Sequence, residues 1–232
     1  GRALPRRDLS HIDLTGSNLS GCDLSGADLR QATLANADLS HAQLTGANLC
    51  HTSLSGANLT GTDLTDAQLR HCNLSGVDLR GRNMASLDLA GGNLSGADLS
   101  GVDLSNSNLS QVDLSHANLS QAILVRSKLV GANLTQAHIF GADLQEASLE
   151  GVSFAGVNLT DRSFRSARLA RADCSKAVLT NADFAQADLT DCNLSHAHLA
   201  SANLEAADLR RASLLGADLS GARLLAASLS RA

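Results

Sequence analysis

The chain has 232 residues, enough for one or two ordinary domains, and 44% of them are apolar, yet it contains no Trp, no Tyr and only four Phe. Any core must therefore be filled by small, uniform side chains. A net charge of −5 lacks the basic footprint that direct nucleic-acid binding requires. Five Cys is an odd number without metal-like CxxC spacing, which argues against a disulfide framework and for a reducing compartment, the cytoplasm. No apolar run approaches membrane-spanning length, and no signal peptide opens the chain. It starts at Gly1 rather than Met, as expected of a processed product or a domain of a longer protein.

One element recurs from end to end. Stepping by five from Leu4 to Leu229 visits 46 positions, of which 40 are Leu; the others are Met84, Ile139, Phe154, Phe164, Cys174 and Phe184. With this centre called i, position i−2 is usually Ala, i−1 Asp or Asn, i+1 often Ser or Thr, and 17 of 19 Gly fall at i+2. On a helix a step of five turns about 500°, so the centres form no stripe. On one long strand an odd step sends them to alternate faces. All the leucines share a core only if the chain bends at every block, with i and i−2 inward and i−1, i+1 and i+2 outward or at the corner. Glycine at i+2 suits such a corner. Repeated bending in one sense gives stacked coils, a solenoid. Composition does not fix the number of sides, although Phe164 and Phe184 differ by 20, as do His51 and His71.

Blocks such as "ANLTG", "ADLSG" and "ADLRR" follow the pattern A-(D/N)-L-x-x, which resembles the pentapeptide-repeat family over essentially the whole chain. The resemblance implies an all-β fold: a right-handed, four-sided parallel β-helix of about 11 coils of 20 residues, roughly 55 Å long at a strand spacing of ~4.8 Å. A single domain would span 1–232. In chain order, residues 1–7, with the only Pro at position 5 beside Arg6 and Arg7, read as an N-terminal tail or cap that blocks edge pairing.

Four-sided folding places Asn18, Asp38, Asn58, Asp78, Asp98 and Asn118 in one outward column and Asp23, Asp63 and Asp103 in part of another. Residues 1–120 carry 12 acids and 7 bases, whereas residues 121–232 carry 11 of each. These columns are the candidate partner-binding acids, and Arg165, Arg168 and Arg171, with Lys176, mark a basic cluster in the other half. His51 and His71 would stack near Cys50, too few ligands for a zinc site. Cys22, Cys72, Cys174 and Cys192 read as small core residues.

Two coils depart from the pattern. Over 81–100 the inward i−2 sites hold Arg82, Leu87 and Gly92, and over 161–180 Arg162 sits at i−2. A buried unpaired arginine is costly, so Arg82 and Arg162 either reach water through a local backbone bulge, the favoured expectation, or find acceptors at a distorted corner. Between Gly156 and Gly216 other residues take the glycine position, which predicts a change of turn type. The outward Leu215 and Leu225 point either to a C-terminal cap over 215–232 or to a homodimer contact.

No nucleophile–base pair, phosphate loop or dinucleotide signature is present, and a filled solenoid has no cleft. The expectation is a non-enzymatic chain without metal or cofactor: a binding or scaffold rod with an acidic surface for a protein partner. The alternative is mimicry. Some members of the family resemble B-DNA and bind type II topoisomerases such as gyrase, protecting them from quinolones. The Leu centres, the unbroken register and the lack of a C-terminal dimer helix depart from those members. Ice binding would need a regular Thr array, which is not found.

Overall fold

The computed structural model describes residues 3–232. Parallel β-bridges join residue n to residue n+20 along the rod, from Ala3 to Asp23 at one end to Asp208 and Ser228 at the other, and every bridged residue is an i−1 position. A coil is therefore twenty residues, made of four five-residue sides. Outside two interruptions described below, the amide of the centre donates to the next coil, as Leu104 N–H does to the Ile123 carbonyl at 2.8 Å. The amide of i−1 donates to the previous coil, as Ile123 N–H does to the Val102 carbonyl at 3.0 Å. No helix is long and apolar enough to cross a membrane.

Each corner is a β-turn. The centre's carbonyl accepts from the amide three residues on, as in Ala27 N–H to Leu24 at 3.0 Å. The residue at i+2 has φ near +60° throughout, the signature of the third position of a type II turn. The expected change of turn type between Gly156 and Gly216 does not occur. Asp161, Arg171, Lys176 and Ala206 keep φ between 56° and 61°. Coil-to-coil hydrogen bonds on both flanks hold the corner where a Cβ alone would disfavour it. Ala206→Gly is accordingly expected to raise stability by roughly 0.5–1 kcal/mol, the left-handed strain less glycine's extra entropy, as a higher urea midpoint.

The core is the shared interior. Centres from Leu24 to Leu209 are buried, together with the small i−2 residues between them. Phe164 stacks on Phe184 one coil away, with ring centroids 4.8 Å apart and planes within 6°, and meets Phe154 edge-on at 6.0 Å. Cys72, Cys174 and Cys192 are buried free thiols, and burial pushes Cys72 up to about 12.

Both ends continue the repeat. Pro5 occupies the second position of a turn, which suits its fixed φ, and Arg6 N–H bonds the Ser25 carbonyl at 2.9 Å. Residues 215–230 coil on: Leu204 and Leu209 donate to Arg223 and Ser228. Leu215 and Leu225 stay at outward positions, 72% and 71% exposed. Gly1 and Arg2, part of the expected N-terminal tail, lie outside the described residues.

The bulge expected at the inward arginines is absent, while Arg162 does find an acceptor at its corner. The twenty-residue register runs unbroken past both, so no residue bulges out of the strand. Instead neighbouring coils separate. Among the described residues no bridge or backbone hydrogen bond joins 58–68 to 78–88, or 133–143 to 153–163, whereas the sides before and after are bridged. A guanidinium is too large for the interior and too costly to strip of water, so it leaves between the coils and holds them apart. Arg162 Nε donates to the Thr160 carbonyl at 2.9 Å, and its guanidinium lies 5.1 Å from the centre of the Phe140 ring. Arg82 Nε is buried without a partner. Leu87 is buried, and Gly92 sits where a Cβ would press on the Leu89 and Cys72 carbonyls at 3.0 and 3.1 Å.

Candidate interaction surface

The outward columns exist as bridged ladders, but the crack at Arg82 cuts them. Asn18, Asp38 and Asn58 pair in succession, and Asp78, Asp98 and Asn118 do so again, while Asn58 and Asp78 are unpaired. The second column runs Asp23, Gln43, Asp63, breaks, and resumes as Asn83, Asp103, Ile123. Gln43 and Asn83 thus space its acids two coils apart.

Each of these carboxylates first serves its own corner. Oδ1 of the i−1 residue accepts the amide of i+1, as Asp23 does from Ser25, Asp38 from Ser40, Asp63 from Thr65, Asp98 from Ser100 and Asp103 from Ser105, at 2.9–3.0 Å. This local bond is why Asp and Asn recur at i−1: a short side-chain acceptor satisfies an amide that the turn directs away from the ladder. Asn side chains then link coils, Asn58 to Asp38 at 3.0 Å and Asn118 to Asp98 at 3.1 Å. Stacking an amide against a carboxylate removes the repulsion that two stacked acids would suffer.

Arg80, which the sequence reading did not single out, changes the charge of the first column. It grips Asp78 through Nη2 at 2.7 Å and reaches Asp98 at 3.5 Å. Its guanidinium, and after it its own amide, hold Asp78 down at about 2. The signal was legible: an Arg two residues after an Asp on one strand face, repeated in Asp28 with Arg30 and Asp208 with Arg210. Free carboxylate remains at Asp23, Asp38 and Asp103, whose Oδ2 atoms have no hydrogen-bond partner among the described residues.

The basic cluster is partly spent. Arg168 pairs with Glu150 at 2.7 Å and Arg165 reaches Asp183 at 3.5 Å. Arg171 occupies a corner one coil from Asp191, whose carboxylate is bound at 2.7 Å by Arg211 on the other side. The His51 and His71 rings stack at 4.7 Å. Among the described residues no three His, Cys, Asp or Glu are grouped to hold a metal ion. Both cracks open as surface recesses: about 410 Å³ lined by Asp66, Arg70 and Asp88 among others, and about 430 Å³ lined by His138, Phe140 and Arg162.

Asp23, Asp38, Asp63 and Asp78 all ionise more readily when folded. Bonds from their i+1 residues do this, led by the side chain at Asp38, Asp63 and Asp78 and by the Ser25 amide at Asp23. Below about pH 4 the unfolded chain therefore takes up protons first. Stability contributed by these turns is complete above that pH and is lost as pH falls towards 2. Urea midpoints should be level from pH 7 to 5 and fall between pH 4 and 2; a midpoint unchanged at pH 2.5 would contradict the turn role of the carboxylates.

A pentapeptide-repeat family profile, described as "Pentapeptide repeats", matches residues 8–46, 42–81, 83–121, 137–161, 158–195 and 187–231. The chain belongs to the pentapeptide-repeat family. Arg82 is the residue that separates two matched segments of this family member. Among solved structures, the chain is 31% identical to HetL, a pentapeptide repeat protein involved in heterocyst differentiation regulation from the cyanobacterium Nostoc sp. strain PCC 7120. The match covers 97% of this chain and 90% of that one, with a TM-score of 0.37. It is 16% identical to full-length QnrB1, a plasmid-mediated fluoroquinolone resistance protein, over 93% of this chain and 92% of that one, with a TM-score of 0.38. Rfr23, a pentapeptide repeat protein from the cyanobacterium Cyanothece 51142, is 23% identical over 61% of this chain and 86% of that one, with a TM-score of 0.27. No curated protein matches the chain.

Proposed function

We propose that the chain is a non-catalytic binding module: a right-handed four-sided rod of about 11 coils that offers the acidic outer face of its first half to a protein partner in the cytoplasm. The observation that carries this reading is the pair of bridged columns whose carboxylates are fixed by their own turns. Asp23, Asp38 and Asp103 keep one oxygen free, so the charges are held at set heights along a ladder with ~4.8 Å steps. Fixed charges lose little entropy on binding, which favours steering and register over raw affinity. The coil interior is filled by leucine and alanine, which leaves no enclosed chamber for chemistry.

Mimicry of DNA towards a type II topoisomerase is the second reading, favoured by the acidic half. Against it, Asp78 and Asp98 share Arg80, and the crack interrupts both columns. Two measurements separate the readings. Affinity capture with Asp38→Lys and Asp103→Lys should lose partners held by the wild-type chain; partners retained by both variants would overturn the acidic-face reading. A gyrase supercoiling assay with a quinolone should show neither inhibition nor protection at micromolar protein, and either effect would favour mimicry.

A further inference from the structure

We infer that Arg82 and Arg162 act as wedges that make the rod an articulated one, three rigid blocks joined by two hinges. The blocks are residues 3–68, 78–143 and 153–228. Within each, the described sides are bridged to their neighbours at every step of twenty. Between blocks, three consecutive sides have lost every bridge and backbone hydrogen bond, and one side keeps them. At the first joint Asn73 remains bridged to both Ser53 and Asn93. At the second, Ser148 remains bridged to both Lys128 and Arg168. A stack fastened along one side and open along three bends about the fastened side.

The interior does not come apart. Leu59 and Leu64 at the first crack, and Leu134 and Ile139 at the second, stay at least 95% buried. The apolar contact is non-directional and tolerates small changes of angle, whereas the ladder that would resist bending is absent. The hinge side at Asn73 and the one at Ser148 are adjacent sides of a four-sided coil, because the two residues lie 75 apart, one five-residue side short of four full turns. The two bends therefore lie in roughly perpendicular planes, and the outer blocks can be aimed in two directions relative to the middle one. The acidic columns cross the first joint, so bending there alters the spacing of Asp38 and Asp63 relative to Asp98 and Asp103. The inference stands on the ladder geometry and holds whether or not the acidic face binds a partner.

The test uses the full chain carrying Cys50→Ser, since Cys50 is the one thiol not buried. Spin labels at Ser20→Cys and Gln121→Cys span the first crack, and labels at Gln121→Cys and Ser220→Cys span the second; all three positions are exposed. Each pair is about five coils, roughly 24 Å, apart. Arg82→Val is expected to narrow the first distance distribution and leave the second unchanged, and Arg162→Val to do the reverse. Valine suits the site because Val77, Val102 and Val112 fill equivalent inward positions. Widths unaffected by either substitution would overturn the hinges. Native-state hydrogen exchange on the unsubstituted chain gives a readout that needs no variant to fold. Amides of Leu59, Leu64 and Leu69 should exchange at least about a hundredfold faster than those of Leu39, Leu44 and Leu49. Equal protection would contradict the open ladder.

Discussion

Arg82→Val is expected to stabilise the chain, by about 2–4 kcal/mol, and to merge two unfolding transitions into one. Most substitutions of partly buried residues destabilise; here the native residue is itself the defect. Its side chain enters from an inward position, leaves Nε buried without a partner, and keeps 58–68 from pairing with 78–88. Each restored coil-to-coil hydrogen bond is worth roughly 0.5–1.5 kcal/mol net, and several can re-form once a branched apolar side chain takes the site. A solenoid is nearly one-dimensional, so its cooperativity is set by the coupling between neighbouring coils. With the cracks present, urea should unfold the blocks in separate steps. With Arg82→Val and Arg162→Val together, the transition should become single and steeper. A lower midpoint for Arg82→Val would mean that the guanidinium contributes binding energy not evident in its contacts.

Phe164→Ala is expected to cost about 3–5 kcal/mol, and to cost it locally. The ring is fully buried between Phe184 above and Phe154 at its edge. The coil resists collapse onto the cavity, because this side is pinned to the following coil: Phe164 N–H to Asp183, Ser166 N–H to Ala185 and Asp183 N–H to Arg162. The loss should appear in the step that unfolds 153–228 and leave the step for 3–68 in place. A uniform fall of all steps would show that the blocks are more tightly coupled than the ladder indicates.

Much of this architecture was legible because the repeat is local. Leu at every fifth position, Ala at i−2 and Asp or Asn at i−1 specified which side chains go inward, and the structure buries Leu99, Leu104, Leu109 and Leu114 accordingly. The step of twenty suggested by Phe164 and Phe184 is the real coil, and the two rings stack. Three features were not legible, each for a physical reason. The corners at Arg171 and Lys176 keep a left-handed φ because long-range bonds outweigh the local preference for glycine, and single-residue preferences are blind to such bonds. Arg82 and Arg162 stood out as misfits, but whether a misfit bulges or parts its neighbours depends on the strength of pairing twenty residues away. The acidic columns were traced correctly in order, as Asp38, Asp78 and Asp98 show, yet the crack through them and the reach of Arg80 across to Asp98 follow from geometry across coils. Phe140, 71% exposed and stacked against Arg162, had no signature beyond its size.

Everything rests on the chain cornering every five residues and meeting itself twenty residues on. Scalar couplings across hydrogen bonds, measured by NMR on deuterated protein, identify donor and acceptor pairs directly. The Leu104 amide should couple to the Ile123 carbonyl and the Ile123 amide to the Val102 carbonyl. Couplings that join each amide to the carbonyl four residues earlier, or to partners at any other offset, would contradict the coil.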